Sequence, residues 1–356
     1  MQHDHLVVMA GGTGQRFWPW SSKIAPKQFQ DLLGKGNSLL QGTLERFQAV
    51  ILPTNMWVVT QAPYRDMVKE QLPWLQDHQI LDEPVAKNTA PCIAYACHKI
   101  AQYDPAANLV ITPADHIVAN NSLFSKTIQQ ALASAQQTSK LMLVGVPCIR
   151  PETGYGYIAY KQQKGAVKPV IKFVEKPPSK QALSYIQQGN YVWNTGIFVG
   201  KLSTFKQNYQ TYLPSTWSAL EAIQASLSAD QEKNALNKIY QQLSAISFDH
   251  AILEKAKDLA VIDNDFGWSD LGTWSALYEH LPKDASNNVI QGNVVALDTD
   301  QCLIKASNNG LIATYGLKDL VIVQHHDVLL ICPRAAVQNL KALIKHIDTE
   351  LGGKYL

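Results

Sequence analysis

Apolar positions in the first half of the chain follow two alternating patterns. Short continuous runs, "HLVVMA" (5–10), "MWVVT" (56–60), "NLVITP" (108–113) and "LMLVGV" (141–146), predict buried strands. Between them, "SLLQGTLERFQAVI" (38–51), "APCIAYACHKIAQY" (90–103) and "LFSKTIQQALASAQQ" (123–137) repeat apolar residues at helical spacing. Strand, helix, strand in succession predicts crossover units: an α/β domain on a mainly parallel sheet covered on both faces.

The pattern shifts after about residue 150. "GYGYIAY" (154–160), "VIKFVEK" (170–176) and "YVWNTGIFVG" (191–200) read as strands, followed by a helical stretch over 203–255. A strand at 259–263 leads into "FGWSDLGTW" (266–274) and a short helix at 273–280. "LPKDASNN" (281–288) is a turn-rich connector and the expected domain boundary, giving domains 1–282 and 289–356. Beyond it, "NVVAL", "CLIK", "LIAT", "LVIV" and "VLLI" recur about every eight or nine residues. They predict a small β layer or a short β-helix, although no strict hexapeptide repeat is present. An amphipathic helix at 334–348 closes the pattern.

Composition narrows the class. A hydrophobic share of 46% over 356 residues supports a sizeable core, and a net charge of +2 with interspersed signs gives no nucleic-acid or membrane surface. The five cysteines are scattered without a CxxC pair, which excludes a zinc knuckle and predicts buried thiols. No signal peptide or apolar run of about 18–20 residues occurs, so a cytoplasmic protein is expected. His3 and His5 read as part of a solvated terminus.

The first strand runs into "AGGTGQRF" (10–17). A dinucleotide fingerprint requires glycine at position 17, where Phe17 stands, and GxxxxGK[ST] is absent. What remains is a glycine turn whose amides can approach an anion. Arg16 and Lys27 follow it, either as solvated loop cations or as two charges that stabilise a departing pyrophosphate.

Other constellations fit this chemistry. "TPADH" (112–116) places Asp115 past the carboxyl end of a strand, where a carboxylate suits Mg²⁺; His116 beside it reads as a structural hydrogen-bonding residue or a direct participant. Asp270 in "GWSDLGTW" completes a metal site or caps the following helix. Glu175, Lys176 and Asn194 at strand ends offer the acceptors, cation and amide that a sugar phosphate needs. Asn88 and Thr89 in "EPVAKNTAP" (83–91) stand before a helix, placed to cap it and to face a base.

Taken together, "AGGTGQRFWPWSSKIAPKQF", "EPVAKNTAP", "TPADH", "GYGYI", "FVEKP", "WNTGIF", "FDHAILEK" and "GWSDLGTW" resemble, in order, the mannose-1-phosphate guanylyltransferases. The resemblance spans residues 10–274. It implies a Rossmann-like nucleotidyltransferase domain with a mainly parallel mixed sheet, a small C-terminal β domain and a terminal helix. The implied reaction joins GTP and mannose 1-phosphate into GDP-mannose and diphosphate with Mg²⁺. By the same resemblance, Gly11, Gly12, Thr13 and Gly14 match the nucleotide loop, with Arg16 and Lys27 as catalytic cations. Asn88 and Thr89 match the nucleotide side, and Gly156, Glu175, Lys176 and Asn194 the sugar side. Asp115 and Asp270 match the metal acids, and a homodimer is expected. Lys87 departs from the arginine common before "NTAP", and lysine offers no bidentate fork.

Longer family members carry a phosphomannose isomerase domain, for which 356 residues leave no room, so no isomerase activity is expected. The alternatives are transfer to another sugar phosphate, a catalytically silent homologue that binds nucleotide sugar, and a nicotinamide-dependent dehydrogenase that Phe17 already disfavours.

Overall fold

The computed structural model describes residues 2–12, 14–223, 229–307 and 310–355. They form two compact units: 1–11, 43–114 and 118–268 make the first, and 12–42, 115–117 and 269–356 the second.

The first unit is built on a nine-stranded mixed sheet. Its strands are β1 (Asp4–Met9), β2 (Met56–Gln61), β3 (Ile80–Glu83), β4 (Asn108–Pro113), β5 (Leu141–Pro147), β6 (Tyr157–Tyr160), β7 (Val167–Val174), β8 (Tyr191–Lys201) and β9 (Leu259–Asp263). β1 is buried along nearly its whole length because β2 and β4 flank it in parallel. That is why "HLVVM" carries no polar alternation. Contrary to the solvated terminus expected for His5, burial in β1 removes it from water, and its Nδ1 accepts from Trp57 Nε1 at 3.1 Å.

Parallel pairing rules only among β1 to β4 and between β5 and β9. β8 runs antiparallel to β4, β5 and β6, so the sheet is mixed rather than mainly parallel past β4. Asn194 therefore lies inside β8, not at a strand end. β8 pairs with β6 through residues 191–193 and with β4 through 198–201, and Asn194 occupies the interval.

Helix Thr89–Tyr103 buries Ala90, Ile93, Ala94, Cys97 and Ile100 on the sheet. The helical stretch expected over 203–255 is divided among Leu202–Tyr212, Pro214–Leu220 and Ala229–Gln242, followed by a π turn at Asp249–Leu253. Pro214 forces the first break, because a proline inside a helix removes a donor and clashes with the preceding turn.

In the second unit, β10 (Val289–Gln291), β12 (Leu303–Lys305) and β14 (Leu320–His325) pair in parallel, and β15 (Val328–Pro333) adds antiparallel. β11 (Val294–Leu297) pairs in parallel with β13 (Ile312–Tyr315) on a second small sheet. Strands that alternate between two parallel sheets are successive coils of a β-helix, so the eight- or nine-residue spacing is half a coil. The closing helix begins later than expected. Arg334–Asn339 forms a 3-10 turn and the α-helix runs Leu340–Leu351. Arg334 is held at the start of that turn, its N–H donating to Asp319 O at 2.9 Å and its carbonyl accepting from Ser275 Oγ at 2.7 Å.

Residues 12–42 pack into this second unit. Phe17, Trp18 and Leu32 share one core with Leu271, Trp274, Leu340 and Ile344. Trp18 Nε1 donates to Tyr355 O at 2.7 Å, and Trp274 Nε1 to Trp18 O at 3.1 Å.

Candidate functional site

The glycine turn is shaped by one obligatory residue. Gly14 has φ +58°, and a β-carbon there would stand 2.2 Å from Lys27 Cβ and 2.9 Å from Lys27 N. Only glycine lets the two stretches of backbone pass this closely. Ser21 Oγ donates to Gly14 O at 2.5 Å, and Gln28 Nε2 to Gly12 O at 2.8 Å, fixing both sides of the turn. Thr13 lies outside the described residues.

Lys27 is 5% exposed, and its ammonium donates to Asp115 Oδ2 at 2.9 Å and to the main-chain oxygen of Asp270 at 2.7 Å. It lies 5.4 Å from the centre of the Phe17 ring, close enough for a cation–π attraction. The side chain that rules out a dinucleotide loop thus forms a wall beside this lysine. Burial pushes the Asp115 carboxyl up, but the charges of Lys27 and His116 outweigh it and hold the group below its ordinary value. His116 Nε2 stands 3.8 Å from Asp115 Oδ1.

These residues line a cavity of about 290 Å³ within the second unit, together with Arg16, Gly14, Asp270, Gly272 and Lys341. The Asp270 carboxylate accepts from Gly272 N at 2.9 Å. It does not cap the next helix: Thr273 does, its Oγ1 accepting from Ala276 N at 3.2 Å. Two carboxylates in one cavity suit a hard ion that takes one or two carboxylates plus phosphate oxygens. Among the described residues no three His, Cys, Asp or Glu side chains converge to hold an ion by themselves. An ion here would draw its remaining ligands from bound phosphate and water.

The other predicted residues belong to the first unit. Asn88 caps helix Thr89–Tyr103 in a left-handed conformation, φ +70°, its side chain accepting from Thr89 N at 2.8 Å. Thr89 Oγ1 accepts from Phe248 N at 2.8 Å. A β-carbon on Gly11 would stand 3.3 Å from Glu83 Oε2. Glu83 is buried, accepts from Tyr240 Oη at 3.2 Å, and is pushed up to about 8 by that burial.

Gly156, Glu175, Lys176 and Asn194 form a second cluster. A β-carbon on Gly156 would meet Glu175 Oε2 at 2.7 Å and the Phe173 ring at 2.9 Å, so glycine is required for the approach. Lys176 Nζ donates to Glu175 Oε1 at 2.5 Å. Asn194 is oriented at both ends: its Nδ2 donates to Asp249 Oδ1 at 3.0 Å, and its Oδ1 accepts from Gly196 N at 3.1 Å. Burial, then the charge of Glu175, push the Asp249 carboxyl up to about 6.

Asp249 and Glu83 were not singled out from the sequence, although both sit in the quoted motifs "FDHAILEK" and "EPVAKNTAP". An acid in each motif was the available signal. Lys341, on the terminal helix, had none.

The nucleotidyl transferase family profile matches residues 5–287, and a MannoseP isomerase/GMP-like beta-helix domain profile matches residues 292–347. An Escherichia coli protein named mannose-1-phosphate guanylyltransferase is 36% identical over 96% of this chain and 75% of its own length. The chain belongs to the mannose-1-phosphate guanylyltransferase family. The alginate biosynthesis protein AlgA of Pseudomonas aeruginosa is also similar, 34% identical over 97% of this chain and 72% of its own. The solved structure described as mannose-1-phosphate geranyltransferase from Thermus thermophilus superposes with TM-score 0.88 at 32% identity. That match covers 97% of this chain and 99% of its own. For this member of the guanylyltransferase family, the nucleotidyltransferase fold with a C-terminal β-helix-like domain and terminal helix is borne out. All five cysteines are free thiols, and no helix among the described residues is long and apolar enough to cross a membrane.

Proposed function

We propose that this chain is a cytoplasmic mannose-1-phosphate guanylyltransferase, converting GTP and mannose 1-phosphate into GDP-mannose and diphosphate. The observation that carries the reading is the cavity that brings Arg16, Lys27, Asp115 and Asp270 together. Two cations and two carboxylates around one small volume suit a polyphosphate that departs with its metal.

A sugar phosphate has a second pKa of about 6, so at neutral pH it is mostly a dianion and needs no general base. An oxygen of this dianion attacks the α-phosphorus of GTP in line with the leaving group. The bond from the α-phosphorus to the bridging oxygen breaks, and its electron pair goes to pyrophosphate. Lys27, held by Asp115 and the Asp270 carbonyl, keeps an ammonium proton directed at that developing charge, and Arg16 adds a planar cation. Asp115 and Asp270 would hold Mg²⁺, which when bound neutralises phosphate charge. Gly11, Gly12, Thr13 and Gly14 are read as the nucleotide loop, with Asn88 and Thr89 on the base side. Gly156, Glu175, Lys176 and Asn194 are read as the sugar side, with Asp249 orienting Asn194.

The reading includes pairing of two copies, supported by exposed Val295, Leu297 and Tyr315 on one face of the β11–β13 sheet; sedimentation at micromolar concentration tests it. The central test measures pyrophosphate release over a grid of nucleoside triphosphates and sugar 1-phosphates, with and without Mg²⁺. Release confined to GTP with mannose 1-phosphate and dependent on Mg²⁺ is expected. Release with no pair would make the chain a binding homologue; release with another sugar would reassign the substrate.

A further inference from the structure

The phosphate cavity has one lining cation that the sequence motifs do not contain. Lys341 is the second residue of helix Leu340–Leu351, and it lines the same volume as Arg16 and Lys27. Its position is set by its neighbours. Leu340 and Ile344, 3% and 7% exposed, are buried in the core that also holds Phe17 and Trp18. Past the far end of the helix, Tyr355 O accepts from the Trp18 indole at 2.7 Å. The backbone beneath Lys341 is therefore fixed against the loop that carries Arg16.

Charge in the cavity gives this lysine its meaning. Arg16 and Lys27 are matched by Asp115 and Asp270, so these four side chains sum to zero formal charge. Lys27 spends two of its three N–H donors on Asp115 and the Asp270 carbonyl. Pyrophosphate departs with several negative charges, and a neutral protein lining does little for it. Lys341 adds a positive charge to that lining, and among the described residues no carboxylate pairs with it.

We infer that Lys341 binds the β- and γ-phosphates of the nucleotide and stabilises the departing pyrophosphate, a role that rests on the nucleotidyl-transfer reading. It acts through its charge and N–H donors alone; it receives no atom and gives up none.

The experiment titrates pyrophosphate with Mg²⁺ into the full chain by calorimetry, using wild type, Lys341→Ala, Lys341→Arg and Lys345→Ala. Lys345 lies on the same helix, exposed, and is not part of the cavity lining. Lys341→Ala is expected to weaken pyrophosphate binding about tenfold, Lys341→Arg to keep most of it, and Lys345→Ala to match wild type. In the forward reaction Lys341→Ala is expected to raise the KM for GTP similarly and leave that for the sugar phosphate unchanged. Wild-type pyrophosphate affinity in Lys341→Ala, or an equal loss in Lys345→Ala, overturns the inference. Pyrophosphate binding does not depend on the sugar, so a wild type that binds it through Lys341 but makes no GDP-mannose sinks only the substrate reading. A wild type that fails to bind pyrophosphate sinks both.

Discussion

The cavity of the second unit and the acid cluster of the first arrange their charges in opposite ways. Around Lys27, opposite charges neutralise one another, and Asp115 is held below the ordinary carboxylate range despite burial. Around Asn194, burial and then the charge of Glu175 raise the Asp249 carboxyl to about 6. In the first arrangement the charge of Lys27 favours the carboxylate form of Asp115. In the second, Asp249 takes up a proton as pH falls through about 6. On the proposed function, the first region stabilises charge and the second reads oxygen positions.

The most severe way to break this contrast is Lys27→Ala. Turnover, followed as pyrophosphate release, is expected to fall by about 10²–10³-fold with the circular dichroism spectrum intact. Near-normal turnover would remove Lys27 from the chemistry. Gly14→Ala attacks the same cavity through backbone alone. With φ at +58° and Lys27 Cβ only 2.2 Å from the new carbon, the turn must move. A loss of about 1–3 kcal/mol in stability and a further drop in turnover are expected; an unchanged melting temperature and rate would show that the loop does not need this crossing.

Asp249→Asn sharpens the contrast from the other side. It is expected to raise the sugar-phosphate KM about tenfold while leaving pyrophosphate affinity unchanged. Because Asp249 takes up a proton as pH falls through about 6, wild-type KM should climb between pH 7 and pH 5 more steeply than that of Asp249→Asn. The sugar phosphate's own titration, at about 6, is common to both proteins and drops out of the comparison. Parallel profiles would detach Asp249 from the sugar. Glu83 bears on stability rather than turnover. Its folded value of about 8 stands above the ordinary 4.5, so its stability contribution is complete below 4.5 and is lost as pH rises to about 8. Glu83→Gln should flatten denaturant stability over that window, and an unchanged slope would contradict it.

Most of the chemistry was readable because it is local. "AGGTGQRF", "TPADH" and "GWSDLGTW" each carry a strand end, a turn and a charged group within a few residues. The Asn194 cluster was less legible: Asn194 falls inside β8 because that strand changes partners from β6 to β4, a tertiary event. β3 escaped notice since "ILDE" is only four residues with two apolar ones. Lys341 reads in sequence as an ordinary solvated helix cation. Its significance depends on Leu340 and Ile344 packing beside Phe17, a pairing more than 300 residues apart that no window can show.

The hydrogen bond from the Trp18 indole to Tyr355 has a consequence in time. Residues 12–42 leave the ribosome about 230 residues ahead of their packing partners at 269–356. At about 5–20 residues per second, the loop bearing Arg16 and Lys27 waits on the order of tens of seconds for its supporting core. Until those partners emerge, the Trp18 indole has no Tyr355 carbonyl to donate to, and Phe17 has no Leu340 or Ile344 to pack with.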